Sequence, residues 1–240
     1  MEAEIEKIIN FCIEKKVLET SNQNKEYFYS SLPLCVIDSI FSIGVNYKGV
    51  QNVIKNVCEK FIINIERINF KKLPEISEQI SVSDFKKLLE NQTYDELANN
   101  IFKNRQRTST VNGILKAEAV IHFLDVLIKF QVEYFQDVEK LYDDKDFESE
   151  IKQIKGQSSG ISLKYFFMLA GNDNLIKPDR MILRFISNIL KRKISIDECQ
   201  PILVQVSNEL LKLKFVNMNP KLLDNRIWNY QRDLNSKNIG

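Results

Sequence analysis

The sequence predicts an all-α fold, a two-lobed helical bundle with a groove between the lobes, and three observations predict it. Only 7 glycines and 5 prolines are spread over 240 residues, too few for the many turns of an all-β chain. Apolar residues recur at helical spacing in the long segments instead of alternating. An apolar share of 44% beside 28% charged residues is the balance of a globular chain with a sizeable core, so no disordered class applies. Taken as one unit over 1–240, the chain is expected to gather its ends, 1–31 and 186–240, into one lobe. Residues 32–185 form the other, which carries a helical hairpin at 147–170.

The elements follow in order. Glu2–Glu19 places Ile5, Ile8, Ile9, Cys12, Ile13 and Val17 on one face of a helix. A polar loop at 20–25 and the run Tyr27-Phe28-Tyr29 lead to a helix through Phe41, with Ser31 as cap and Pro33 in its first turn. The chain breaks at Ile43-Gly44 and restarts near Tyr47, with Val50, Val53, Ile54, Val57 and Phe61 facing inward. A Pro-containing connector, 71–80, precedes short helices at Val82–Leu89 and Tyr94–Phe102, with Ser83 and Thr93 as cap-like residues. The link Asn104–Thr110 is basic and hydroxyl-rich; Arg105 and Arg107 suit backbone phosphates, and a solvated loop fits the same residues. A helix is expected from Val111 to Phe130, with helical continuation over Val132–Leu141 and then an acidic run, Asp143–Glu150, that would face away from phosphate. Near the end, Ser195 with Glu198 forms a capping-box pattern before Ser195–Leu213, and Pro220–Leu234 is the last helix.

Composition narrows the chemistry. A formal charge of +2 requires any nucleic-acid contact to come from a local patch. Cys12, Cys35, Cys58 and Cys199 lie far apart and form no C-x-x-C, which removes zinc and iron–sulfur ligand sets; no metal is expected. One histidine, His122, sits in an apolar helix and reads as structural, so histidine triads and multi-histidine metal sites are excluded. No apolar run reaches membrane-spanning length and the first residues are acidic and amphipathic, so a cytoplasmic protein without a membrane partner is expected.

The most informative stretch is Lys155–Phe185. A charged helix, Phe147–Ile154, runs into Gly156 and Gly160, close enough together for a tight reversal, and a second helix opens at Ile161–Ser162. Free N–H groups at that start, with the hydroxyls of Ser158, Ser159 and Ser162, make an anion site suited to a phosphate, which positions without reading sequence. Leu163–Ala170 is almost wholly apolar and should be buried. After Gly171-Asn172-Asp173-Asn174, a helix begins at Lys177-Pro178-Asp179, where the dipole favours an ionised carboxylate, and Met181, Ile182, Phe185, Ile186 and Ile189 form its apolar face.

These residues resemble the helix-hairpin-helix DNA glycosylase superfamily. In endonuclease III-like members the aspartate is followed by an apolar residue, an arginine and another apolar residue, matched here by Ile182, Arg184 and Phe185 after Asp179. Lys164, four residues after Gly160, resembles the nucleophilic lysine of bifunctional members, and Gly113–Ala119 resembles the lysine-alanine helix that precedes the hairpin. The chain departs from the family where Ile154-Lys155-Gly156 replaces a Leu-Pro-Gly opening, and between Lys164 and Asp179, which is a few residues short. It also lacks the four-cysteine cluster of some members.

The resemblance implies a duplex DNA partner, base extrusion, N-glycosidic hydrolysis with possible lyase chemistry, and a monovalent cation at the hairpin as the one conceivable cofactor. It makes Asp179 the residue that steadies a cationic sugar and orients water. Lys164 is then a nucleophile or a phosphate contact, Arg184 an ion-pairing residue, and Phe41, Ser42, Asn46 and Tyr47 are candidates for the wedge or base pocket. The same four residues would otherwise pack or cap their turn, and Asp179 would otherwise be a plain helix cap. Two further functional readings stand beside the glycosylase: a non-catalytic DNA-binding or modified-base-sensing relative, and a helical protein-interaction module.

Overall fold

A computed structural model describes residues 2–19, 28–45, 47–70 and 72–237, with side chains as far as Leu234. The loop expected at 20–25, Tyr27, Asn46 and Lys71 lie outside the described residues. Eleven α-helices occur in the described chain: α1 Glu2–Glu14, α2 Leu32–Phe41, α3 Tyr47–Phe61, α4 Val82–Leu88, α5 Tyr94–Glu96, α6 Lys116–Lys129, α7 Lys145–Gln153, α8 Ile161–Leu169, α9 Arg180–Leu190, α10 Ile196–Lys212 and α11 Pro220–Lys237. The described residues hold only two isolated β-bridges, Tyr29 with Glu66 and Arg107 with Leu115. The fold is all-α.

Two compact units divide the chain, a terminal unit of 1–24 with 172–240 and a central unit of 25–171. The division falls at 171/172, earlier than the boundary after residue 185 drawn from the sequence. Asp179 and α9 therefore belong with the chain ends, and the hairpin does not.

In the terminal unit, α1 packs on α9 and α10, and α11 on α9 and α10. Ile5, Ile8 and Cys12 of α1 meet Ile182, Phe185 and Ile186 of α9, Leu203 and Val206 of α10, and Leu223 and Ile227 of α11 in one core. Phe11 stands edge-on to Phe185 at 5.6 Å and to Tyr230 at 6.2 Å. The helix expected through Glu19 stops at Glu14 because Lys16 turns left-handed, and a short 3-10 turn carries Val17 back to the core. The Ser195 capping box forms as expected: Ser195 Oγ accepts the Glu198 N–H, and Glu198 accepts the Ser195 N–H.

In the central unit, α2 is buried along its whole length and packs against α3, α6 and α8. Rings from three helices lock α6, α7 and α8 together: Phe123 lies 5.0 Å from Phe166 and 6.5 Å from Phe147, and Phe147 lies 6.1 Å from Phe167. Three local expectations are corrected. Ser81, not Ser83, caps α4 by accepting the Asp84 N–H, while Ser83 donates its hydroxyl to Glu133. The helix expected from Val111 begins at Lys116, because Thr108 N–H to Ile114 O and Lys116 N–H to Gln106 O, both 2.9 Å, fold 106–116 into a bridged turn. Val132–Leu141 holds two 3-10 turns, Phe135–Asp137 and Glu139–Leu141, where a continuous helix was expected.

Lys116 ties α6 to α2. Its ammonium is buried and donates to the carbonyls of Phe41 and Ile43 at 2.9 and 2.8 Å, serving the C-terminal end of α2, where unpaired carbonyls and the dipole both favour a cation. Lys116→Met keeps the stem but strands those carbonyls. It is expected to lower unfolding free energy by roughly 1–3 kcal/mol in a urea melt.

Candidate nucleic-acid interface and acid site

The hairpin is built from α7, a double turn and α8. Asp144 caps α7 by accepting the N–H groups of Asp146 and Phe147 at 3.0 and 2.9 Å. The chain then turns twice, with Gln157 N–H to Ile154 O at 2.8 Å and Gly160 N–H to Gln157 O at 3.0 Å. Gly156 and Gly160 sit at φ +91° and +69°, where a side chain is strained. At Gly156 a Cβ would also stand 2.4 Å from Thr108 Cβ, so the 104–110 link lies directly against the turn. Thr108 Oγ1 is buried there without a hydrogen-bond partner among the described residues, so the contact is one of shape.

Ser158 and Ser159 are exposed on this turn, as a phosphate contact needs. Ser162 is not: it is 2% exposed, and its hydroxyl donates to Gln157 Oε1, which corrects its expected outward role. Gln157, itself 3% exposed, is the internal brace that sequence reasoning missed. Lys164 is half-buried on α8, the one basic residue of an otherwise largely buried helix.

The two arginines of the link are exposed but engaged. Arg105 pairs with Asp95 and donates to Asn99 Oδ1 at 2.9 Å, and Arg107 donates to the Gly113 carbonyl at 2.7 Å. They hold the bridged loop in shape. An open cleft of about 370 Å³ beside α6 and α7 is lined by Glu118, Asp125 and Glu150 with His122 and Lys155. Asp125 and Glu150 there pair with Lys86 and Lys129.

Of the wedge candidates, Phe41 is corrected. It is 1% exposed, packs 5.4 Å from Phe102 and lies under the Lys116 ammonium, so it is core. Ser42 ends α2, its N–H donating to Asp38 O at 2.9 Å. Tyr47, half-buried at the start of α3, hydrogen-bonds Tyr29, which also donates to Asp38 Oδ2 at 2.8 Å; Tyr165 reaches the same oxygen at 3.3 Å. Burial, followed by the Asp38 charge, pushes the Tyr29 hydroxyl well above its ordinary range. The sequence signal for this network is an acid inside the apolar run LPLCVIDSIF.

Asp179 lies in the terminal unit as the N-cap of α9. Its Oδ1 accepts the N–H of Met181 at 2.8 Å and of Ile182 at 3.1 Å. Oδ2 accepts no hydrogen bond among the described residues, and the side chain is half-buried. Pro178 precedes the cap instead of opening the helix, and is buried. Helices further along the chain hold the approach. Gln200 accepts the Ile176 N–H at 3.1 Å and donates to Asn174 O at 2.8 Å, and Lys221 Nζ reaches Asp173 Oδ1 at 3.1 Å. Asp224 of α11 accepts the Lys177 N–H at 3.0 Å. Arg184 donates to Gln231 Oε1 at 3.2 Å, a structural contact with α11.

The family described as a domain of unknown function, DUF8548, matches residues 6–232. The chain belongs to the DUF8548 family. No curated protein and no solved structure matches it. The DUF8548 match runs through both compact units, so the hairpin turn and the Asp179 cap both lie inside the shared domain. In this DUF8548 chain no three His, Cys, Asp or Glu side chains among the described residues gather as metal ligands. The four cysteines are buried thiols, and burial raises those of Cys12 and Cys58 to about 12. No described helix is long and apolar enough to cross a membrane.

Proposed function

We propose that this protein binds duplex DNA, extrudes a modified or damaged base and hydrolyses its N-glycosidic bond. The observation that carries the reading is the Asp179 cap. One carboxylate oxygen is fixed by two backbone N–H groups, while the other takes no hydrogen bond from the described residues on a half-exposed side chain. A carboxylate so held is oriented before substrate arrives. Glycosidic cleavage leaves positive charge on the sugar, and a fixed anion stabilises that charge and aligns the attacking water.

The hairpin turn supports the other half of the reading. Its exposed serines, its left-handed glycines and the exposed Lys155 on the same turn suit a phosphate contact that reads no base. Lys164 adds a cation on α8, as a phosphate contact or as the amine that attacks the sugar. The resemblance of Lys155–Phe185 to helix-hairpin-helix glycosylases joins the two halves into one activity.

The test is single-turnover base release from duplexes carrying uracil, alkylated, oxidised or hydroxymethylated bases, with alkali to reveal abasic sites and borohydride to trap a Lys164 adduct. Release from one class of duplex is the expected result. No release together with salt-sensitive duplex binding would leave a non-catalytic DNA reader, and no binding would remove both. Borohydride trapping that persists in Lys164→Ala would exclude that amine as the nucleophile.

A further inference from the structure

Asp224 is an acid where an acid is costly. It sits on α11 at 3% exposure, beside an apolar core that includes Leu223 and Ile227, and it reaches across to the turn before α9. Its contact there is with the backbone, Lys177 N–H to Asp224 Oδ1 at 3.0 Å, two residues before Asp179. The next N–H, that of Asp179 itself, folds back onto Lys177 O at 2.7 Å. The geometry points to Asp224 as the positioning residue for Asp179: it pins the Lys177–Asp179 turn and thereby sets the direction of the capping carboxylate. For base release this rests on the glycosylase reading; for the position of Asp179 it stands alone.

An asparagine would make the same hydrogen bond, so the carboxyl must be distinguished from a mere acceptor. The charged groups that face it are Asp179, whose negative charge opposes ionisation, and Lys177, which favours it. Burial first, and the Asp179 charge second, push the Asp224 carboxyl well above the ordinary carboxylate range, so it tends to keep its proton. The sign follows directly. A folded-state value above the unfolded one leaves stability intact below the unfolded carboxylate range and erodes it as pH rises toward the folded value. Wild type should therefore lose stability with rising pH in a way that Asp224→Asn does not.

The experiment compares wild type, Asp224→Asn, Asp224→Ala and Asp179→Asn. Thermal melts should show Asp224→Asn equal to wild type near about pH 4 and higher by roughly 3 °C or more near about pH 7. That gain should shrink when Asp179→Asn is already present, because the opposing charge is gone. Amide exchange at Lys177, Met181 and Ile182 should stay slow in Asp224→Asn and quicken about 10-fold or more in Asp224→Ala, which removes the acceptor. Base release should hold within about 3-fold in Asp224→Asn, with its alkaline limb displaced, and fall about 30-fold or more in Asp224→Ala at unchanged DNA affinity.

Equal melting of wild type and Asp224→Asn at every pH, or unchanged exchange in Asp224→Ala, would overturn the assignment. If Asp224→Ala does not fold, the melts, their coupling to Asp179 and the displaced alkaline limb decide the matter on Asp224→Asn alone. A wild type that releases no base, with the melts and exchange as expected, would leave the positioning role intact and remove the glycosylase reading instead.

Discussion

Asp179→Asn is expected to abolish base release, by at least about 10²–10⁴-fold, while leaving the fold and duplex affinity close to wild type. Asparagine is as good an N-cap as aspartate, so its side-chain carbonyl can accept the same Met181 and Ile182 N–H groups and α9 should start where it does now. Melting within roughly 2 °C of wild type is the expected control. The substitution separates two roles that share one side chain. If Asp179 serves only as a cap, the amide does that work equally well and release should be untouched. Loss of chemistry without loss of binding or stability isolates the charge. Equal release by both proteins would end the case for a catalytic carboxylate.

The second large effect is expected at the hairpin. Gly156→Ala forces a side chain into a backbone conformation at φ +91° and sets a methyl 2.4 Å from Thr108 Cβ. The left-handed backbone alone costs about 1–2 kcal/mol for a residue with a Cβ, and the overlap adds to it. The turn should shift, and duplex affinity should drop by roughly 10-fold or more, with a shallower dependence on salt as phosphate contacts are lost. Thr108→Gly in the same chain removes the two side-chain atoms that the new methyl would overlap, Cβ and Oγ1, leaving the backbone carbon at 3.3 Å. It should recover part of the affinity, though not the part set by φ. Gel-shift titrations of the two single variants and the double variant over a salt series measure this coupling, and strictly additive losses would show that link and hairpin do not share a surface.

The parts of this architecture legible in the sequence are those set locally. Scarce glycine and proline with helical apolar spacing gave the all-α class, the Ser195 and Glu198 pair read as a capping box, and Asp179 before an apolar stripe read as a helix start. Interactions between distant segments were not legible. Ser162 looks like any helix-start hydroxyl until Gln157 turns inward to meet it. Phe41 looks like a turn residue until Phe102 and Lys116 close over it. The bridge of Arg107 with Leu115 is too short to show alternation, so Arg107 reads as part of a polar link and Leu115 as part of a helix. Asp224 stands in KLLDNRIWNY, and nothing local in that run records how deeply its carboxyl is buried.

The terminal unit joins segments that lie on either side of the central unit in sequence, which sets an order on its birth. During synthesis α1 is made well before its partners α9, α10 and α11, and until they follow, Ile5, Ile8, Ile9 and Cys12 face water. The central unit can close in the interval; the terminal unit cannot, however long translation pauses. A nascent chain stalled before α9 should therefore carry a folded central unit and, N-terminal to it, an unsatisfied amphipathic helix, a natural grip for a chaperone. The capping acid, lying on the late side of that wait, would acquire its fixed geometry only when α11 arrives with Asp224.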